Sequence, residues 1–471
     1  MLMLNYDVLL QIVQCIYHKG SYDSLFRCAT VNRDFHRAAT SALYQRVTLS
    51  PKADNGAQLD LRRRNQNLNG LFESARLSHH AIFVTELVIS GWLLETSAPR
   101  NNFSYVLRDA VQLWSNLSLV TLAPKQAPKE LTDVVLPAMS SYSLRSLTIS
   151  SACFSEEALR LLLHFKRLEE LTIISPGRGM LQVLPEWLPY LSATLTMFRL
   201  MDSCGSVTPG VLRSFIPHLP RVHTFGIGLS YSLTHDDIFA FLNELPQIRS
   251  LDVRYYLQIR PTTVRVHLSN LRSLIVRYNC PEDRSDVDHL VKWIRQCSSS
   301  SPLNSIRLIN DNRLDVFPSL SYDGLLDHLG LKHGLTLRSF ELEGGTVGKK
   351  ALRSFCSRCH NLEKLSTSVR SDIIWDIPEL SNIRSVLLTT PHAKHRWRRD
   401  YEDERIKSDI FRPPSLLRSF GIDKHRWKGS WKITVEGHED FVVQRASMPK
   451  PPKWEEEARE AWKWGSGLYD I

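Results

Sequence analysis

Leu144-Arg145-Ser146-Leu147-Thr148-Ile149-Ser150 decides the fold, together with the segment after it, Phe154-Ser155-Glu156-Glu157-Ala158-Leu159-Arg160-Leu161-Leu162-Leu163. In the first stretch Leu144, Leu147 and Ile149 follow an apolar-x-x-apolar-x-apolar pattern. Its alternation belongs to a strand with one buried face, so Leu144, Leu147 and Ile149 should point inward and Ser146, Thr148 and Ser150 outward. In the second stretch Ser155 is placed to cap a helix, with Glu156 and Glu157 in the first turn, where the helix dipole favours acids. The pattern begins again at Leu168, 24 residues on. A strand-plus-helix unit of that size leaves two faces uncovered and must stack on copies of itself.

Working outward, the same pattern starts at Val84, Leu117, Leu195, Val222, Ile248, Leu271, Leu303, Leu337, Leu362, Ile383 and Leu417, in steps of 21 to 34 residues, with an earlier match at Tyr44. The pattern alone is weak, because three apolar positions match by chance at ~8% of starts. Its wording is stronger. Arg-Ser fills the first gap at Leu144, Ile248, Leu271, Leu337, Ile383 and Leu417, and Cys153, Cys204 and Cys280 each lie nine residues after a start. Thr208-Pro209 and Thr234-His235-Asp236-Asp237 open further helices. From Val84 to about Asp423 the chain resembles the longer, helix-bearing class of leucine-rich repeats found in F-box proteins. That resemblance implies an α/β solenoid with a curved parallel sheet inside and helices outside.

The first 49 residues stand apart. Leu9, Ile12, Val13 and Ile16 form one apolar helical stripe, closed by His18-Lys19-Gly20. A second apolar set is Leu25, Cys28, Ala29, Val31, Phe35 and Ala39, and Leu43 to Leu49 alternates like a strand. Leu4, Asp7, Leu9, Leu10 and Ile12, with the run Leu25 to Phe35, resemble an F-box, although Asn5 stands where that family usually has Pro and Asp7 where it usually has Glu. The resemblance is to F-box proteins with leucine-rich repeats, of the fungal type. It implies a short helical module at 1–49 that docks on a Skp-type adaptor, and through it a cullin, using Leu4, Leu9, Leu10, Ile12, Val31 and Phe35. The bare alternative is a helical cap on the array. Residues 50–83 read as linker and first repeat helix, 84–425 as the solenoid with a charged insertion at about 390–415, and 426–471 as a C-terminal cap and tail.

Strand alternation also predicts the outward surface. Early strands offer Glu86, Val88, Thr121, Ser146, Thr148 and Thr172. The middle strands offer Met197 and Arg199, then Asp252 and Arg254, then Arg277, then Arg307, with Tyr256 and Tyr278 past strand ends and Glu341 on the next strand. Arg, Tyr and Met are the residues of binding hot spots, and forked guanidiniums suit an acidic or phosphorylated target segment. The competing expectation is a self-neutralised face in which Arg254 pairs with Asp252.

Catalysis finds no support. Cys356-Ser357-Arg358-Cys359-His360 spells a haem-attachment motif, but no matching second cysteine pair suggests zinc, and burial in a repeat helix explains it. Gly348-Lys349 lacks the first Gly and the Ser/Thr of a phosphate loop. The expectation is no enzyme, no cofactor and no metal. The 471 residues carry a net charge of +10, which is too mild to demand nucleic acid. No window suits a signal peptide or membrane helix, and eight scattered cysteines do not form a disulfide framework, so cytosol or nucleus is expected. The leading expectation is a substrate-recognition subunit of a Skp–cullin–F-box ubiquitin ligase. The alternatives are a repeat scaffold with no ligase role, and a nucleic-acid binder using Arg199, Arg254, Arg277 and Arg307. Lys394 to Arg399 and the Trp-rich tail from Pro451 to Trp464 read as a charged insertion and a terminal cap.

Overall fold

A computed structural model describes residues 5–18, 22–50, 70, 72–93, 103–126, 130–258, 262–311, 320–369, 382–390, 403–411, 416–423, 425–433 and 439–446. The chain divides into two compact units, one reaching residue 221 and the other spanning 222–448. Among the described residues no helix is long and apolar enough to cross a membrane.

The first unit opens with helices α1 (Tyr6–His18), α2 (Tyr22–Ala29) and α3 (Arg33–Tyr44). Val13, Leu25, Ala38 and Ala42 form their common core. Asn32 starts α3 by accepting a hydrogen bond from the Phe35 N–H at 2.9 Å, which satisfies one of the donors every helix start leaves open. Leu43 and Tyr44 belong to α3, not to the strand expected from Leu43. That strand, β1 (Arg46–Leu49), pairs in parallel with β2 (Glu86–Trp92). The Gln45 carbonyl accepts from the N–H groups of Thr85 and Glu86. The helical module thus contributes a strand to the sheet of the array.

β3 (Leu119–Gln126), β4 (Ser146–Ser150), β5 (Glu170–Ile174) and β6 (Met197–Ser203) continue the parallel sheet of this unit. In the second unit β7 (Thr224–Leu229), β8 (Ser250–Arg254), β9 (Ser273–Tyr278), β10 (Ser305–Asn310), β11 (Ser339–Val347), β12 (Lys364–Val369), β13 (Ser385–Thr389) and β14 (Ser419–Ile422) are parallel. Each strand from β2 to β14 begins two residues after an expected start. The pattern works because its last two apolar residues, such as Leu147 and Ile149, are fully buried under the helices. Ser150 departs from the outward role expected of it and is buried.

Helix caps are where the sequence puts them. The Ser155 hydroxyl accepts from the Ala158 N–H at 3.0 Å, and Thr234 and Asp237 form a reciprocal capping box. Cys153, Cys204 and Cys280 are half-buried or buried, and each thiol donates to a carbonyl, of Pro124, Leu200 and Gly344 respectively. Their shared position in the repeat is a packing role. Between β8 and β9 the described chain has no regular secondary structure from 262 to 268.

The array ends in antiparallel strands. β14 pairs antiparallel with β15 (His425–Ile433), which pairs antiparallel with β16 (Glu439–Arg445). A hairpin packed by Trp427, Trp431 and Phe441 therefore follows the last parallel strand. The helix Asp403–Asp409, within the charged insertion, is docked, with Ile406, Ile410 and Phe411 buried. Leu4, the Lys394–Arg399 run and the tail from Pro451 to Trp464 lie outside the described residues.

Candidate partner-binding surfaces

The helical module has an inner and an outer apolar set. Leu9 is only 3% exposed and belongs to the core, so its expected place in a docking surface is corrected. It sits one turn before Val13 on the buried face of α1. Leu10 packs against the module core and Phe35 is half-buried. Ile12 and Val31 are exposed, as docking requires, and Val8 and Phe26 join them; Phe26 and Val31 are each 62% exposed. Val8 and Ile12 lie one turn apart on α1. The sequence offered a signal for Phe26, since it neighbours the buried Leu25 and must point elsewhere.

Met197 and Arg199 lie on β6 in the first unit, both half-buried; Nε of Arg199 has no hydrogen-bond partner. The remaining expected target contacts lie in the second unit, and they are largely engaged with each other. Asp252 is 3% exposed and accepts two hydrogen bonds from Arg277, at 3.0 and 3.2 Å. The expected Arg254–Asp252 pair is absent. Arg254 instead pairs with Asp311 and donates to Asn279 at 2.6 Å. The register explains this: Asp252 faces Ile275, so the arginine two places on, Arg277, reaches back to it diagonally. Arg307 pairs with Glu341 at 3.1 Å and Glu343 at 3.5 Å, and Lys364 pairs with Glu341.

Tyr278 is corrected more sharply. It is the last residue of β9, fully buried, and its hydroxyl donates to the Glu343 carbonyl. Burial raises its phenol pKa well above the usual value. Tyr256 is half-buried and its hydroxyl donates to the Leu233 carbonyl. Tyr231, which packs edge-on against Tyr256, is exposed instead. The middle of this sheet face is therefore a set of closed ion pairs, and its guanidiniums are not waiting for an anion.

Beside the segment 262–268 lies a small cleft lined by His235, Tyr255, His289, Trp293 and Gln296 among others. His235 Nε2, Trp293 Nε1 and Gln296 Oε1 are buried there without a hydrogen-bond partner. Burial lowers the His235 pKa to about 4, with Asp236 opposing the shift, so the imidazole is neutral at neutral pH. Asp236 itself is tied up by Thr262 and by the N–H groups of Thr263 and Val264, which anchor the segment 262–268.

Cys356 lies on the helix Lys349–Arg358 and Cys359 just beyond it, with His360 exposed. Burial raises both thiols, Cys359 to about 12, which keeps them protonated and poor metal ligands. Among the described residues no group of three or more His, Cys, Asp or Glu side chains gathers to hold a metal. The Gly348 N–H donates to the Asp323 carboxylate at 2.7 Å, so a helix start that could face phosphate already holds an acid.

No family model matches the chain, and no curated protein matches it. Among solved structures it is similar to one described as the Rad7 and Elc1 complex in yeast. The identity is 14%, the TM-score 0.46, and the match covers 78% of this chain and 92% of that one. A second likeness is to the TLR13–ssRNA13 complex, at 14% identity and TM-score 0.28, covering 66% and 50% of the two chains.

Proposed function

We propose that the chain is the substrate-recognition subunit of a Skp–cullin–F-box type ubiquitin ligase, an F-box-like module followed by a leucine-rich-repeat array. The observation that carries this is the outer apolar set of the helical module. Val8, Ile12, Phe26 and Val31 are left in water although the module has its own core. Four exposed large apolar side chains on so small a module support a binding role for it. In this reading the module docks on a Skp-type adaptor, the array holds a target protein, and another subunit performs the chemistry. Co-purification from cell extract tests it. Ile12→Asp with Val31→Asp should remove a Skp-type adaptor recovered with wild type; unchanged recovery, or none with wild type, would defeat the reading. These sites replace Leu9, whose substitution would disturb the core.

A second reading has its own observation. β1 is a strand of the array's sheet, and Tyr44 at the end of α3 stacks on His80 with ring centroids 3.9 Å apart. A purely capping module would be built this way. It predicts that removing residues 1–49 lowers the melting temperature of the array while Ile12→Asp with Val31→Asp changes no partner.

A further inference from the structure

The repeated Arg-Ser wording has a place in the structure that the ion pairs of the sheet face do not use. In the second unit the residue just before each strand forms a row held by backbone hydrogen bonds. The Arg249 N–H donates to the His223 carbonyl at 2.7 Å, and Arg272 donates to Arg249 at 2.8 Å. Asn304, Arg338, Glu363, Arg384 and Arg418 continue the same chain of bonds, each N–H reaching the previous carbonyl. The row therefore advances one strand spacing, ~4.8 Å, per residue along the N-terminal edge of the sheet.

The serines that follow are in register too, Ser250 with Ser273, Ser273 with Ser305, and Ser305 with Ser339. They are half-buried, and none of their hydroxyls bonds to a described residue. Arg249 and Arg272 are exposed neighbours, and among the described residues no carboxylate pairs with either. Arg384 is likewise exposed and unpaired, whereas Arg338 has Glu363 at 3.7 Å.

We propose that this edge, centred on Arg249, Ser250, Arg272 and Ser273, binds a protein segment that carries anionic side chains. Two forked guanidiniums one strand apart, with two free hydroxyls behind them, match a carboxylate or a phosphate group on such a segment. The row is interrupted by Asn304 and by the Arg338–Glu363 pair, so it recognises a few separated charges and not a continuous phosphate backbone. This deepens the target-receptor reading and rests on it for its biological role.

The test uses the purified full chain without adaptor, so its failure is distinct from failure of the ligase reading. Fluorescence anisotropy is measured with labelled peptides of about 12 residues, long enough at ~3.3 Å per residue to cover the row. One is rich in Asp, Glu and Leu, one carries phosphoserines in place of the acids, and one replaces the acids by Asn and Gln. A single-stranded oligothymidine of similar length is the fourth probe. An anionic peptide should bind more tightly than the neutral one, and the tighter of the two names the anion. Arg249→Glu with Arg272→Glu should weaken it about tenfold or more, while Arg145→Glu in the first unit leaves it unchanged. These residues are exposed, and an unaltered melting curve confirms folding. The proposal is overturned if no peptide binds, if the neutral peptide binds as well, if the double substitution has no effect, or if the oligonucleotide binds more tightly than the peptides.

Discussion

Both units are built from one strand-and-helix repeat, but they place polar groups differently. In the first unit many outward strand positions are small or neutral, as at Thr121, Thr148 and Thr172, and its ion pairs keep both partners partly exposed, Arg46–Glu86 within the sheet and Arg145–Glu169 at the rim. The second unit buries a carboxylate in the sheet, Asp252 beneath Arg277, and places His235 and His333 in its core, with half-buried His328 beside His333. Ring nitrogens of all three histidines lack partners. Apolar contacts alone suffice to stack repeats. The second unit therefore carries polar groups that stacking does not require, and these make it the more condition-sensitive half.

Acid should separate the units most. Burial lowers the pKa of His235 and of His328 to about 4, and lowers that of His333. The unfolded chain takes up these protons near the ordinary pKa of about 6.5, while the folded unit resists them until about 4. Stability is therefore intact above about pH 6.5 and falls as pH drops toward 4, by roughly 3 kcal/mol for His235 and less for the more exposed His328. Urea unfolding at about pH 7 and about pH 4.5, with limited proteolysis to report which unit opens, should show the second unit losing protection first. Equal acid sensitivity of both units would break the comparison.

The next effect is electrostatic. Asp252→Ala strands the Arg277 guanidinium over a buried site and should cost about 2–3 kcal/mol by denaturant unfolding. Arg145→Ala, which opens the exposed pair in the first unit, should cost under about 0.5 kcal/mol. Between these falls a tryptophan pair. Trp187, in the first unit, donates its indole N–H to the Phe165 carbonyl at 2.9 Å, whereas the Trp293 indole N–H has no partner. Both replacements leave a cavity, so Trp187→Phe, which also strands the Phe165 carbonyl, should destabilise by about 1–2 kcal/mol more than Trp293→Phe. Melting curves of the two variants decide it.

The array was legible in the sequence because strand alternation is a local code. Val84, Leu117 and Ile383 each announce a strand two residues ahead, and Ser155, Thr208 and Thr234 cap helices through groups three residues away. Side-chain partners were less legible, because they depend on register between repeats. The choice of Arg277 over Arg254 as the partner of Asp252 follows from the β8–β9 pairing, which no single strand encodes. Tyr278 misled because it ends a strand, where inward and outward positions are told apart only by the loop that covers them. Leu9 misled because one apolar stripe on a short helix holds both core and surface residues. The Arg-Ser repetition was visible from the start, and its use was not, since free and neutralised arginines read alike in sequence.

The central claim is that adaptor docking and target binding occupy separate surfaces, the module's outer apolar set and the array. Quantitative mass spectrometry of material co-purifying with the full chain tests it directly, comparing wild type, Ile12→Asp with Val31→Asp, and Arg249→Glu with Arg272→Glu. The account predicts a double dissociation: the first variant loses a Skp-type adaptor and keeps the other partners, and the second keeps the adaptor and loses a target. Loss of the same proteins from both variants, or of none from either, would contradict it.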